Sequence, residues 1–234
     1  MKPKNSLTSD RRGFLGALAA GAATLGFLGI TSPLKAAGNK ISEKLHSPGD
    51  PDQIFKNLKG KNRAVFDVPQ PHGIFPFAWP RVFLMTNIAT GTPEKENDVI
   101  VILRHDAIPY AFEDKLWAKY NFGEVFKAED PVKKLPASTR NPFWQAKKSD
   151  FSVPGIGEIS IAINELQESG VIFMVCDAAI TVYSAAVAQR MGTDAAAVKQ
   201  DWLSGLLPGI HRVPSGIWAL SRAQKHGCAY IFAG

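Results

Sequence analysis

Short apolar runs separated by segments with helical spacing constrain the fold of this 234-residue chain most strongly. Residues 99–103 and 171–175 are apolar throughout, as is typical of strands that are buried on both faces of a parallel sheet. Further runs at 64–68, 209–213 and 229–232 have the length and composition of strands. This alternation predicts an α/β fold, in which an open parallel sheet of about five strands carries helices on both faces.

Segments with helical spacing fill most of the intervals between these runs. The exception is one long stretch, residues 121–154, which has no clear periodicity and contains several prolines and lysines. A stretch of this length inside a domain is expected to be a functional flap, an oligomer contact or an addition particular to one family. The helices are predicted at 51–58, 77–89, 111–120, 159–167, 178–191, 194–206 and 215–225.

The N-terminus has the layout of an export signal. Arg11 and Arg12 follow a basic start, and a weakly hydrophobic run then covers residues 14–30. Small residues around Ala36 end the segment, so residues 1–36 are predicted to be a twin-arginine signal. A Sec signal and an uncleaved N-terminal anchor are the alternatives. We expect a periplasmic protein that meets the membrane only through this signal during export.

Removal of the signal changes what the charge implies. It leaves a polar extension at 37–61 and one α/β domain at 62–234. Residues 1–36 hold five of the 27 Lys and Arg residues and one of the 21 Asp and Glu residues, so the formal net charge falls from +6 to +2 without them. The remaining chain shows no basic patch with interleaved aromatic residues, which argues against nucleic acid as a partner.

The two cysteines, Cys176 and Cys228, do not form a C-x-x-C motif. Their spacing therefore disfavours a redox dithiol and covalently attached haem. An exported protein works in an oxidising compartment, where a disulfide between the two is conceivable. The sequence leaves that pairing open.

Polar and reactive side chains follow four of the predicted strands. Ligands of open parallel sheets bind outside the carboxyl ends of the strands, so residues at these positions are expected to share one crevice. The residues there are His72, His105, Cys176, Asp177, Pro214 and Ser215.

Cys176 is the strongest candidate for a reactive residue. It ends a buried strand and precedes a helix whose positive N-terminal end would favour the thiolate. His105 would act as its base or as its ion-pair partner. The structural alternatives are that Cys176 and Cys228 are packing residues, and that His105 is the polar end of a strand. Asp177 and Ser215 would then be helix caps.

Metal and cofactor sites find less support. His72, His105 and Cys176 would suit copper or zinc, but no two of them have the short spacing of metal ligands. No G-x-G-x-x-G motif follows the first strand, and the Walker A and G-x-S-x-G patterns are missing. We expect neither a cofactor nor a bound metal.

Residues 170–179, 202–220 and 227–231, together with 101–112 and 116–120, carry a family resemblance. In these segments the chain resembles the DsrE/DsrF-like family and its exported branch. The resemblance implies a flavodoxin-like sheet and assembly into trimers or hexamers. It also aligns Cys176 with the cysteine that takes part in sulfur transfer in that family.

The resulting hypothesis is an exported protein that binds or transfers sulfur through Cys176, with His105 tuning the thiol. Its expected partners are a small sulfur species or a sulfur-carrier protein, and further copies of the chain. The alternative is a non-catalytic module that binds a small molecule or serves as an oligomeric interaction unit. The residues expected to complete the substrate pocket are His72, Asp177, Pro214 and Ser215.

Overall fold

The computed structural model of the chain describes residues 52–234. The predicted export signal at 1–36 and most of the polar extension at 37–61 lie outside the described residues, so both stay predictions. Within residues 52–234, none of the helices combines the length and apolar character that a membrane span requires.

Five parallel strands form one sheet, and helices surround it. The strands are β1 (Asn62–Val68), β2 (Asn97–Leu103), β3 (Ile172–Cys176), β4 (Ile210–Val213) and β5 (Ala229–Phe232). The α-helices of the described residues are α1 (Gln53–Lys56), α2 (Phe75–Ala89), α3 (Asp114–Tyr120), α4 (Phe122–Val125), α5 (Ile163–Glu168), α6 (Asp177–Met191), α7 (Ala195–Ser204) and α8 (Gly216–Lys225). Within residues 52–234, 3₁₀ helices cover Glu94–Glu96, His105–Ala111 and Lys148–Asp150.

The strand order is β4-β3-β2-β1-β5, and every neighbouring pair is parallel. Strands β1 to β4 step across the sheet in one direction, whereas the last connection returns over the sheet to put β5 beside β1. Because such crossovers are right-handed, the first three connections cover one face and α8 covers the other. The predicted open parallel sheet of five strands with helices on both faces is confirmed. It is flavodoxin-like in architecture, with order 4-3-2-1-5 in place of the 2-1-3-4-5 order of flavodoxin itself.

Alternate strand residues supply two separate cores. The core on the α8 face joins Val65, Ile102 and Met174 of the sheet to Ala219 of α8 and Phe55 of α1. Burial of these apolar side chains fixes α8 across the sheet, where it contacts β1, β2, β3 and β5.

The core on the α2 face is mainly aromatic. The ring of Phe77 in α2 lies 4.2 Å from that of Phe143, 5.3 Å from that of Tyr110 and 6.2 Å from that of Phe173, measured between centroids. All four side chains are buried. Ring pairs at such separations contribute beyond their buried area.

The stretch at 121–154, which the sequence left without periodicity, is anchored to this aromatic core. It contains α4 and two short hairpins, in which Glu129–Asp130 pairs with Leu135–Pro136 and Ser152–Val153 pairs with Gly157–Glu158. Asn141 is fully buried, and its Nδ2 donates to the carbonyl oxygens of Tyr110 at 2.9 Å and Phe112 at 3.0 Å. Its Oδ1 accepts a hydrogen bond from the backbone N–H of Phe143 at 3.1 Å. Phe143, two residues after Asn141, packs into the aromatic core.

Asn141→Ala removes these three hydrogen bonds and leaves their backbone partners buried. We expect the free energy of unfolding to fall by about 2–4 kcal/mol. Urea denaturation followed by circular dichroism measures it. Thr139→Ala, an exposed change two residues away, is the matched control and should cost less than about 0.5 kcal/mol. Equal stability of the two variants would show that Asn141 does not anchor the segment.

Candidate functional site

An ion pair between Asp67 and Arg104 lies at the carboxyl edge of the sheet on the α8 face. Arg104 donates from Nε to Oδ1 of Asp67 at 2.6 Å and from Nη2 to Oδ2 at 2.9 Å. Tyr230 of β5 donates its hydroxyl to Oδ2 at 2.9 Å. Asp67 is only 2% exposed, so three hydrogen bonds compensate a carboxylate that is almost fully buried. The hydrogen bond to Asp67 raises the pKa of Arg104 against the opposing effect of burial.

Cys176 lies beside Arg104 on the neighbouring strand. Leu103 pairs in register with Val175, so Arg104 and Cys176 follow at the same level of β2 and β3. Cys176 also pairs with Val213, which belongs to the core under α8, and therefore points to the α8 face.

The sulfur of Cys176 also caps α6. Its Sγ accepts the backbone N–H of Ala179 at 3.3 Å, in the position that Ser, Thr, Asn or Asp usually occupies. This N–H points at the sulfur from the positive end of a 15-residue helix. Asp177, which the sequence also offered as a cap, is instead the first residue of α6.

The start of α8 completes this side of the edge. The hydroxyl of Ser215 accepts the N–H of Trp218 at 3.1 Å, so the residue is the helix cap that was one of its two predicted roles. A Cβ on Gly216 would lie 2.7 Å from Cβ of Arg104, which shows that the helix start packs directly on that side chain. Pro214 links the edge to Cys176 because its carbonyl accepts the N–H of Ala178 at 3.2 Å.

His105 sits at the same edge in a strained backbone conformation. Its φ is 50°, in the left-handed region that costs a non-glycine residue about 1 kcal/mol or more. The loop is held there by hydrogen bonds from Arg104 N to Val68 O at 3.0 Å and from Asp106 N to Pro69 O at 2.9 Å. The imidazole is exposed to solvent.

Two other expected pocket residues face away from Cys176. His72 is exposed and its ring lies 5.0 Å from that of Phe75 on α2. Asp177 is buried and pairs with Lys199 of α7 at 3.0 Å and with Arg212 of β4 at 3.6 Å. Arg212 is in register with Val175, one residue before Cys176, so this ion cluster lies on the α2 face. The structure therefore groups Cys176, Pro214 and Ser215 and leaves His72 and Asp177 apart from them.

Sequence reasoning missed Asp67, Arg104 and Tyr230. One signal was available: an acidic residue inside an apolar strand run must find a partner when it is buried, and a basic residue directly follows the next strand. Tyr230 carried no such signal, because its role depends on β5 returning to the side of β1.

The two cysteines are both free and both buried. Cys176 is at the carboxyl end of β3, whereas Cys228 precedes β5 at the amino end of the sheet. The strand register separates them by about 20 Å along the strand direction, at about 3.3 Å per residue, which is far beyond disulfide range. The disulfide that the sequence left open is not formed.

Among the described residues, neither a metal-binding cluster nor the depression beside β3 and β4 adds to this edge of the sheet. No group of three or more His, Cys, Asp and Glu residues within 52–234 is arranged to hold a metal ion. A depression of about 450 Å³ lies beside the amino ends of β3 and β4, where Gly170, Ile172 and His211 line it. It is at the opposite end of the strands from Cys176.

Comparison with known proteins leaves the family open. No protein-family model matches the chain, and neither a curated protein nor a solved structure is significantly similar to it. The fold and the site geometry are therefore the basis for a functional proposal.

Cys228 provides an internal reference for thiol reactivity. Burial raises the pKa of its thiol to about 11, so only roughly a thousandth is thiolate at pH 8. We expect iodoacetamide at pH 8 to leave Cys228 unmodified in the native protein and to modify it fully in urea. Peptide mass spectrometry resolves the two cysteines. Native modification of Cys228 at the rate seen in urea would contradict the burial.

Proposed function

We propose that the chain binds or transfers sulfane sulfur at Cys176. The observation that carries this proposal is the position of the sulfur, which caps the N-terminus of α6 and lies at the level of Arg104 on the neighbouring strand. A helix N–H and a neighbouring cation both favour an anionic sulfur, whether thiolate or persulfide. The resemblance to the DsrE/DsrF-like family supports the same residue.

The chemistry needs no external oxidant. The Cys176 thiolate attacks the terminal sulfane sulfur of a donor R–S–S⁻, and a new S–S bond forms to Cys176. The original S–S bond breaks, and its electron pair leaves with R–S⁻, which takes up a proton. Transfer to an acceptor thiolate repeats the exchange in the opposite direction.

The roles of the other edge residues follow from their positions. Ser215 holds the start of α8 against the site, and exposed His105 is available to exchange protons with a donor or an acceptor. His72 and Asp177 would act only on a ligand long enough to reach beyond the α8 face. Export through the predicted signal would restrict the donor and acceptor to those of the periplasm.

Mass spectrometry after exposure to polysulfide tests this function. The Cys228→Ala variant should gain increments of about 32 Da, roughly one sulfur each, and reduction should remove them. The Cys176→Ser variant, which retains Cys228, should gain none. A Cys176 that stays unmodified while glutathione in the same tube is persulfidated would refute the proposal.

A second candidate function is that of an oligomeric interaction module. Along α2, Phe75, Trp79, Val82 and Met85 form a stripe of apolar side chains between 37% and 45% exposed. The rings of Phe75 and Trp79 stack at 4.9 Å, which makes the stripe a flat aromatic surface in its first two turns. Contiguous apolar surface of this kind is typical of protein contacts.

Sedimentation velocity tests this candidate. Under it, the wild type is oligomeric, and Trp79→Lys shifts the protein to monomer because a charge replaces the centre of the stripe. Val182→Lys, an equally exposed apolar position on α6, is the control and should leave the assembly unchanged. A monomeric wild type, or equal assembly of both variants, would exclude this surface as the oligomer contact.

A further inference from the structure

Arg104 has hydrogen-bonding capacity that the protein does not use. A guanidinium carries five N–H donors, and Asp67 takes one from Nε and one from Nη2. The remaining donors are both N–H groups of Nη1 and the second one of Nη2. One N–H of Nη1 and the free one of Nη2 lie side by side and form the outer edge of the guanidinium. Nη1 has no hydrogen-bond partner among residues 52–234, and the side chain is 18% exposed. This outer edge matches the geometry of an oxyanion.

The outer edge is held in place before any ligand arrives. Asp67 grips the inner edge through two hydrogen bonds, and Tyr230 holds Asp67 through a third contact. Gly216 packs against the aliphatic part of Arg104 from the other side. A donor group fixed in this way loses little entropy when it binds, which favours affinity.

The acidic groups around Arg104 all have partners within the protein. The charge of Asp67 is balanced by Arg104, and Asp177 is balanced by Lys199 and Arg212 on the other face. Oδ1 of Asp106 accepts a hydrogen bond from the hydroxyl of Tyr183. The first turn of the ten-residue α8 lies against Arg104, and its positive end adds to the field there. Cys176 lies at the same level of the sheet as Arg104.

We propose that the outer edge of Arg104 and the first turn of α8 form a binding site for a small oxyanion beside Cys176. The site takes one sulfonate-type group, and the sulfane sulfur of thiosulfate bound in this way would face Cys176. The thiolate would then attack that sulfur, the S–S bond would break, and sulfite would leave with the electron pair. This substrate class rests on the proposed function, whereas the oxyanion site itself does not require a reactive thiol.

Binding is measured by calorimetric titration of thiosulfate and, separately, of sulfate into the Cys176→Ser variant, in which no sulfur transfer takes place. We expect both anions to bind. Arg104→Met in the same background should weaken binding about 10- to 100-fold, because a charge-assisted contact is lost. Arg190→Met, at an exposed position on α6, is the matched control and should bind like its parent.

A second variant guards against misfolding of Arg104→Met, since that change leaves Asp67 buried without its cation. In Asp67→Asn with Arg104→Met both charges are removed together, and circular dichroism verifies the fold. This pair should show the same loss of anion binding. Unchanged affinity in either folded variant, or no binding by the parent at about 10 mM anion, would overturn the oxyanion site.

The two proposals fail in different ways. If the Cys176→Ser protein binds sulfate through Arg104 but the wild type never acquires sulfur, the oxyanion site stands and the transfer function fails. If Cys176 acquires sulfur from thiosulfate at the same rate with and without Arg104, the transfer function stands and the assignment of thiosulfate to the oxyanion site fails. Tighter binding of acetate than of sulfate in a third titration would assign the site to carboxylates and overturn the thiosulfate assignment.

Discussion

The Asp67–Arg104 ion pair is the interaction on which the carboxyl edge of this protein depends. It joins β1 to the end of β2, and through Tyr230 it also reaches β5, the strand that returns from the far side of the sheet. A carboxylate that is 2% exposed would be strongly destabilising without such partners. Arg104 also lies at the same level of the sheet as Cys176 at the end of β3, and its stem forms the surface on which α8 begins. Structure and candidate chemistry therefore use the same side chain.

The sequence predicted the strands well because each contains a short run rich in apolar residues, and two of these runs are apolar throughout. The run at 229–232 coincides with β5, and the others differ from β1 to β4 by one or two residues at one or both ends. The helix predicted at 159–167 was wrong in its first turn, since α5 begins at Ile163. Ile159 and Ile161 are buried ahead of it, outside any helix. Their spacing of two residues is that of an extended segment, which the prediction of a helix from residue 159 overlooked.

The stretch at 121–154 could not be predicted, because its structure comes from contacts with distant residues. Asn141 satisfies carbonyl groups of the 3₁₀ segment after β2, and Phe143 completes a cluster with rings from α2 and β3. Neither contact leaves a periodic pattern in the local sequence. The stretch therefore covers the domain and also supplies side chains to its core.

The residues of the predicted site follow the strands at the carboxyl edge of the sheet, but the structure brings only some of them together. Residues that follow parallel strands do meet at one edge, and this brings Cys176 near Pro214 and Ser215. Side chains alternate between the two faces, however, so Asp177 points away from its neighbour Cys176. The residue beside Cys176 on the neighbouring strand is Arg104, rather than the histidine that follows it, because Arg104 is at the same level of the sheet.

A double-mutant cycle between Asp67 and Arg104 tests this account most directly. The free energies of unfolding of Asp67→Asn, Arg104→Met and the double variant give the coupling between the two side chains. We predict a coupling above about 1 kcal/mol, because the pair is bidentate and largely buried. The exposed pair Lys61–Glu96 is the reference and should give less than about 0.5 kcal/mol. A coupling for Asp67 and Arg104 no larger than that of the reference pair would contradict the central role of this interaction.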